Sequence, residues 1–212
     1  MGFYSNVIIP FFYDYSMDSP KINEGRKSIL NKITEEEILE IGFGTGINLR
    51  FYPPNIKKII GVDANGGMLQ QAQKKITNGR FEIELINHSS ESLPFPDDSI
   101  RAIVSTYTLC SIKNINSALK EIYRVLKPGG KYYFLEHGLA DNPKTQKWQH
   151  RLNPIQNIWA DGCNLNRDIK KLITNSGLKI IDLKNYYMKR DPKIVGYMYE
   201  GIAVKPNLQG RS

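Results

Sequence analysis

Cysteine is nearly missing from this chain, with two in 212 residues, Cys110 and Cys163. They stand far apart, with no CxxC pair and no zinc-type spacing, so the sequence excludes a disulfide framework and predicts no metal centre. A reducing, cytoplasmic setting fits such sparse use of thiols. Long apolar runs are missing too, and none approaches the roughly 18 residues that a membrane helix needs. The aromatic start, MGFYSNVIIPFFYDYSM, is interrupted by Pro10 and Asp14. It lacks a basic flank and a small-residue cleavage site, so it does not read as a signal peptide. Asn6 stands where the myristoylation pattern requires Ser or Thr. No internal repeat and no low-complexity tract occurs.

Two phosphate-binding fingerprints are absent as well. The stretch ILEIGFGTGINLR (38–50) has Gly42, Gly44 and Gly46 directly after an apolar run. The dinucleotide pattern needs a third glycine or alanine, but counting from Gly42 that place holds Ile47, and from Gly44 it holds Leu49. No GK[ST] follows, which excludes a P-loop. What remains is a tight strand-to-helix turn whose backbone can approach a ligand closely. A purely structural turn asks for the same glycines.

The rest of the composition is that of an ordinary globular protein, with 41% hydrophobic and 24% charged residues. The length predicts one domain, 1–212, with a sizeable core. The net charge of +8 favours anionic partners, although lysines spread along the chain also serve as a plain solvated surface. Strand-like runs fall at 38–41, 57–63, 81–86, 100–106 and 131–137, with helical segments between them. The helix at 116–126 has apolar residues at 118, 119, 122, 125 and 126, Asn116 as a cap, and Pro128, Gly129 and Gly130 as a stop. A second helix is read at 68–76, with Gly79 at its C′ position. Alternation of strand and helix predicts an α/β fold, a doubly wound Rossmann-like sheet with helices on both faces and a ligand crevice at the strands' carboxyl ends. The last two runs, 178–186 and 197–205, have no helix between them and can pair antiparallel. Residues 1–30 read as a helical extension and 138–177 as a helical insertion.

Asp63 ends the second strand, 17 residues after Gly46. A carboxylate there can accept both hydroxyls of a ribose, or it can serve as a loop or cap residue. The run NHSSESLPFPDDSI offers an apolar turn to cover a base, with Glu91 or nearby backbone at its polar edge. In this order EIGFGTG, VDAN, SLPFPDDSIRAIVS and VLKPGGKYYFLE resemble the class I S-adenosylmethionine-dependent methyltransferases, over residues 36–137. The resemblance implies a seven-stranded sheet of order 3-2-1-4-5-7-6 with strand seven antiparallel. It implies S-adenosyl-L-methionine as cofactor and S-adenosyl-L-homocysteine as product. It assigns Gly42, Gly44 and Gly46 to the methionine and ribose part, Glu40 to the loop and the ammonium region, and Asp63 to the ribose. It sets Ala64 and Met68 against adenine, Ser89, Ser90 and Glu91 at its amino edge, and Thr106 on the opposite side. Ser89 stands where the family commonly has Asp.

A narrower likeness rests on FYSNVIIPFF, TLCSIKN, FLEHG and DGCNLNRDI, which resemble the branch containing the animal thiol S-methyltransferases and short bacterial relatives. It implies a small-molecule acceptor, possibly a thiol, at the mouth of strands four and five. His137 ends strand five and is the candidate base or orienting group, or else a strand-end histidine with a structural hydrogen bond. Alternation points Glu136 to the other side. Tyr4, Cys110, Asp161, Cys163 and Asn164 are the other candidate pocket residues. Their structural readings are a packed Cys110 and a cap at Asn164 or Asn166 for a helix 167–175. Trp148 and Trp159, three helical turns apart, read as core, and Tyr4, Phe11, Phe12 and Tyr13 as a lid or as core. STYTLCS after strand four contains no NPPY-like motif, no Pro-Cys pair and no glutamate pair. Those absences argue against adenine-N6, glutamine, cytosine-C5 and arginine methylation, and a small acceptor is favoured over nucleic acid. The rival readings are a phospholipid or quinone methyltransferase with peripheral membrane contact, an RNA methyltransferase, and a non-catalytic cofactor binder. Oligomeric state is not legible.

Overall fold

A computed structural model describes residues 14–76, 79–160 and 162–207. The elements run α1 (Pro20–Leu30), β1 (Glu37–Ile41), a 3-10 turn (Ile47–Arg50), β2 (Lys58–Asp63), α2 (Gly66–Lys75), β3 (Glu82–Asn87), β4 (Ile100–Thr106), α3 (Ile115–Val125), β5 (Leu126–His137), α4 (Pro143–Trp159), α5 (Ile169–Asn175), β6 (Lys179–Tyr187) and β7 (Tyr197–Val204). The seven strands form one sheet of order β3-β2-β1-β4-β5-β7-β6. The first five pair parallel with one another, and β7 is antiparallel to both β5 and β6. The order and the terminal antiparallel pair are those expected from the sequence.

Central strands read as apolar runs because both faces of a parallel sheet are covered. In β5, Tyr132 and Phe134 join one core cluster with Leu119, Ile122 and Val125 of α3. Their alternate neighbours Tyr133 and Leu135 join the other, with Ile29 and Leu30 of α1. Period-two alternation therefore divides one strand between two cores. Gly61 of β2 has no room for a side chain, since a Cβ there would lie 2.6 Å from the Phe43 ring. The aromatic between the first two glycines is thus keyed into the sheet.

Several boundaries differ from expectation. Helix α3 begins one residue earlier, and its cap is Asn114, whose side chain accepts from the Ser117 N–H. Asn116 lies inside the first turn. The helix also ends before the Pro-Gly-Gly stop. Leu126 is already extended and pairs with Ile100, while the N–H groups of Asp98 and Ser99 take the last helical carbonyls, of Arg124 and Val125. Helix α2 is capped by Asn65 and ends at Ile76, so Gly79 lies three residues beyond the C-cap, not at C′. Helix α5 is capped by Asp168, which replaces Asn164 or Asn166 in that role.

The tryptophans are a correction. Trp148 and Trp159 are 51% and 79% exposed, so neither is core. Their spacing does put them on one side of α4, but the inward side is held by the buried Gln149. Its amide donates to the Gly138 and Ile194 carbonyls and accepts from the Ala140 N–H. Tyr4, Phe11, Phe12, Tyr13 and Asp161 lie outside the described residues. Among the described residues, no helix is long and apolar enough to cross a membrane.

Candidate active site

The carboxyl ends of β1, β2 and β4 meet at the glycine loop. Gly42, Gly44 and Gly46 take φ values of 70°, 59° and 77°. That left-handed backbone favours glycine and lets the chain leave β1 in a tight curl. At Gly42 the demand is also steric, since a Cβ there would lie 2.2 Å from Oγ1 of Thr108. Asp63, at the end of β2, fastens the loop. Its Oδ2 accepts from the Gly44 N–H at 2.8 Å and its Oδ1 from the Asn65 N–H at 2.8 Å. Each carboxylate oxygen keeps further acceptor capacity. Burial raises the Asp63 pKa, against the pull of those two backbone donors. Ala64 is exposed and Met68 buried at the start of α2.

Glu40, Gly42 and Thr106 line one narrow cleft together with Arg26, Phe43, Ile47 and Asn48. Glu40 is buried; Tyr52 donates to its Oε2 at 2.7 Å and Asn48 to its Oε1 at 2.6 Å. Burial pushes its pKa up to about 7 in spite of these donors. Asn48 also donates to Thr106 Oγ1 at 3.0 Å. Its own Oδ1 is buried with no hydrogen-bond partner among the described residues. Such an acceptor on a cleft wall suits a ligand donor. Sequence reasoning missed Asn48, Tyr52 and Arg26. Only Arg26 left a signal, because it falls in the 22, 25, 26, 29, 30 stripe that α1 buries.

Ser89, Ser90 and Glu91 form the turn after β3, next to Asp63, whose carbonyl accepts from the His88 N–H and the Asn87 side chain. Ser89 Oγ accepts from the Glu91 N–H, and Glu91 Oε1 accepts from the Asn114 N–H at 2.9 Å. One oxygen of Glu91 therefore pins the start of α3, and these three residues do not line the Glu40 cleft.

A second group gathers where β4 and β5 end. Glu136, on the side of β5 opposite His137 as alternation requires, grips the loop after β4. It is buried, and its carboxyl accepts from the N–H groups of Thr108 and Leu109 at 2.9 and 3.0 Å and from Ser105 Oγ at 2.9 Å. Burial raises its pKa to about 8. On the other side of β5, His137 Nε2 lies 3.1 Å from Cys163 Sγ. Cys110 completes a cluster in which the donor atoms of Cys110, His137 and Cys163 all lie within 4.8 Å of one another. The sequence places no base beside Cys110, yet the fold brings one from 27 residues away. The hydrogen bond with Cys163, then the charge of His137, hold the Cys110 thiol well below its usual range. The same hydrogen bond, with burial, pushes the Cys163 thiol up. For His137 burial acts downward, but the facing Cys110 outweighs it and the pKa is raised.

Asn164 is drawn into the same place, donating to the Cys110 carbonyl through both its backbone and side-chain N–H groups at 2.9 Å. Arg167 donates to the carbonyls of Leu109 and Ile112. Asn164 and Arg167 thus clasp the loop after β4.

Comparison with known proteins agrees with this geometry. The family described as a methyltransferase domain matches residues 39–134. The human thiol S-methyltransferase TMT1A is 33% identical over 172 residues, covering 79% of this chain and 70% of that protein. A Haloferax volcanii methyltransferase, solved with the Trm112 methyltransferase activator, superposes with a TM-score of 0.70 at 18% identity, covering 94% of this chain and 96% of that one. A SAM-dependent methyltransferase of Methanosarcina mazei superposes with a TM-score of 0.59 at 25% identity, covering 84% and 96%.

Proposed function

We infer the reaction from one premise: the chain belongs to the class I S-adenosylmethionine-dependent methyltransferases. We propose that it methylates a small-molecule thiol in the cytoplasm. The observation that carries the thiol reading is the reach of the likeness to TMT1A. Its 172 aligned residues exceed the 39–134 domain and so take in segments beyond the cofactor half.

The residues present fit the cofactor. Glu40 and the partnerless Asn48 Oδ1 offer acceptors to a cationic amino-acid tail, and Gly42, Gly44 and Gly46 bring backbone close to it. The remaining lone pairs of Asp63 take the ribose hydroxyls. Ala64, Met68 and the 89–91 turn would hold the base, and Thr106, on the wall of the Glu40 cleft, would face the cofactor from the other side. S-adenosylmethionine, when bound, supplies a methyl group on a cationic sulfur already activated for displacement. The protein's task is then to align the acceptor and exclude water. A thiol, with a pKa near about 8.5, needs only modest help to ionise. Helix α1 contributes Arg26 to the cleft.

Asp63→Ala tests the cofactor assignment. Calorimetry with S-adenosylhomocysteine should show a loss of about 3 kcal/mol, since hydrogen bonds to a charged group are at stake. Unchanged binding overturns the ribose role. A product-release screen over thiols, amines, phenols and phospholipids tests the acceptor, and turnover confined to a class other than thiols overturns the thiol. A second reading, a lipid-like acceptor taken at a membrane surface, draws on the exposed Ile155, Ile158 and Trp159 of α4. Sedimentation with anionic vesicles separates it from the first.

A further inference from the structure

Cys110, His137 and Cys163 come from three separate segments: the loop after β4, the last residue of β5, and the turn between α4 and α5. Their two Sγ atoms and an imidazole nitrogen converge within 4.8 Å of one another. A tetrahedral zinc ion with Zn–S of about 2.3 Å and Zn–N of about 2.0–2.1 Å places its donors about 3.6–3.8 Å apart. The three side chains therefore span the edges of a metal polyhedron with little movement. No disulfide joins the two cysteines.

The surroundings are built as metal sites are built. The backbone that carries Cys110 is fixed at four residues between 108 and 112: Glu136 takes the N–H groups of Thr108 and Leu109, Asn164 donates twice to the Cys110 carbonyl, and Arg167 donates to the carbonyls of Leu109 and Ile112. Such an outer layer orients ligands before the ion arrives. Asn164 also holds the chain next to Cys163, so one side chain sets the spacing of both thiols. Packing alone would not ask for this many polar fasteners around two small residues.

We propose that Cys110, His137 and Cys163 bind one zinc ion, and that the fourth position takes the acceptor's sulfur. This deepens the thiol reading above and rests on it for the identity of the fourth ligand. Three protein ligands are the usual complement of a site that keeps one position for substrate. Two thiolates and an imidazole favour zinc among the abundant divalent ions, and a soft sulfur ligand suits the remaining place. The step balances simply. The acceptor thiol releases its proton to solvent on coordination. Its sulfur then closes a new S–CH3 bond as the methyl–sulfonium bond breaks, giving neutral S-adenosylhomocysteine and a thioether. The thioether, having lost its charge, is a weaker ligand and leaves.

The test uses the full chain purified without chelator. Elemental analysis should find about one zinc per chain, and Cys110→Ser, Cys163→Ser and His137→Ala should each weaken retention by about tenfold or more. A preserved melting transition and S-adenosylhomocysteine binding in Cys163→Ser keep that result separate from misfolding. In the cobalt(II) form, thiolate-to-metal absorption should appear, and adding 2-mercaptoethanol or an aryl thiol should shift the visible bands. Absence of metal, retention unaltered by all three substitutions, or a native mass lower by two hydrogens from a Cys110–Cys163 disulfide overturns the site. Cobalt bands indifferent to every thiol overturn the fourth-ligand assignment. Metal-free protein that methylates thiols at the full rate overturns this inference and leaves the thiol reading standing. Bound zinc with no thiol turnover does the reverse for that reading.

Discussion

Gly42 shows what a single residue decides. The glycine loop resembles a ligand cradle, yet the space above Gly42 is filled by the protein itself. A Cβ would lie 2.2 Å from Thr108 Oγ1 and 2.3 Å from its Cγ2. Thr108 cannot retreat, because its N–H is held by both oxygens of Glu136. The backbone at Gly42 is also left-handed, at φ 70°. Gly42→Ala should therefore cost roughly 2–4 kcal/mol, part strain and part overlap. Urea denaturation of Gly42→Ala, Thr108→Ala and the pair separates the two. The pair should recover the part of the overlap due to Oγ1 and Cγ2, and keep the strain and the 2.8 Å approach of the Thr108 Cβ, as a positive coupling between neighbouring sites. Simple additivity would show that Thr108 is not the obstacle.

At the scale of elements, the start of α3 is the sharpest case. Asn114 caps Ser117 through its side chain, and its own N–H goes to Glu91. Asn114→Ala should lower stability by about 1 kcal/mol. Asn116, exposed on the second helical residue, should change it by less than about 0.5 kcal/mol when replaced by alanine. Denaturant midpoints of the two variants compare these directly, and equal losses would refute the cap. The sequence offered both asparagines, and propensity alone does not choose between them; the bond to Glu91, 23 residues upstream, does. The same distinction runs through the whole reading. The seven-strand order was legible through the motif resemblance, the strands through apolar runs, and Asp63 through its place after β2. What was not legible depends on contacts far apart in the chain. Glu136 leaves β5 on the side opposite His137, as alternation requires, but alternation does not show that the loop after β4 curls back to meet its carboxyl. In the sequence Cys110 and Cys163 read as separate pocket residues, because they stand 53 residues apart and only the fold brings them together beside His137. The tryptophan spacing put both residues on one side of α4, but the buried Gln149 shows that a different side faces inward.

For the molecule as a whole, the response to pH follows from carboxyls that folding removes from water. Burial raises Glu40 from 4.5 to about 7 and Glu136 from 4.5 to about 8. In the unfolded chain both ionise near about 4.5. Between there and about 8 the folded chain holds protons that the unfolded chain has lost, so folding stability falls as pH rises through that window. Glu121, held low by Arg124, and Asp18, held low by Arg50, act with the opposite sign. Their contribution is present above the unfolded carboxylate range and fades as pH falls through it. Stability should therefore peak in mildly acidic solution and decline toward pH 8. Urea midpoints taken every half unit check this. Glu40→Gln should flatten the lower part of the decline and Glu136→Gln the upper part, whereas a wild-type curve that rises from pH 5 to pH 8 would contradict both assignments. A ligand with a cationic tail reverses the trend at Glu40 alone, because it favours the carboxylate over the neutral acid. The stabilisation that S-adenosylmethionine adds should then grow with pH through about 7, and Glu40→Gln should abolish that growth while the Glu136 decline stays in place.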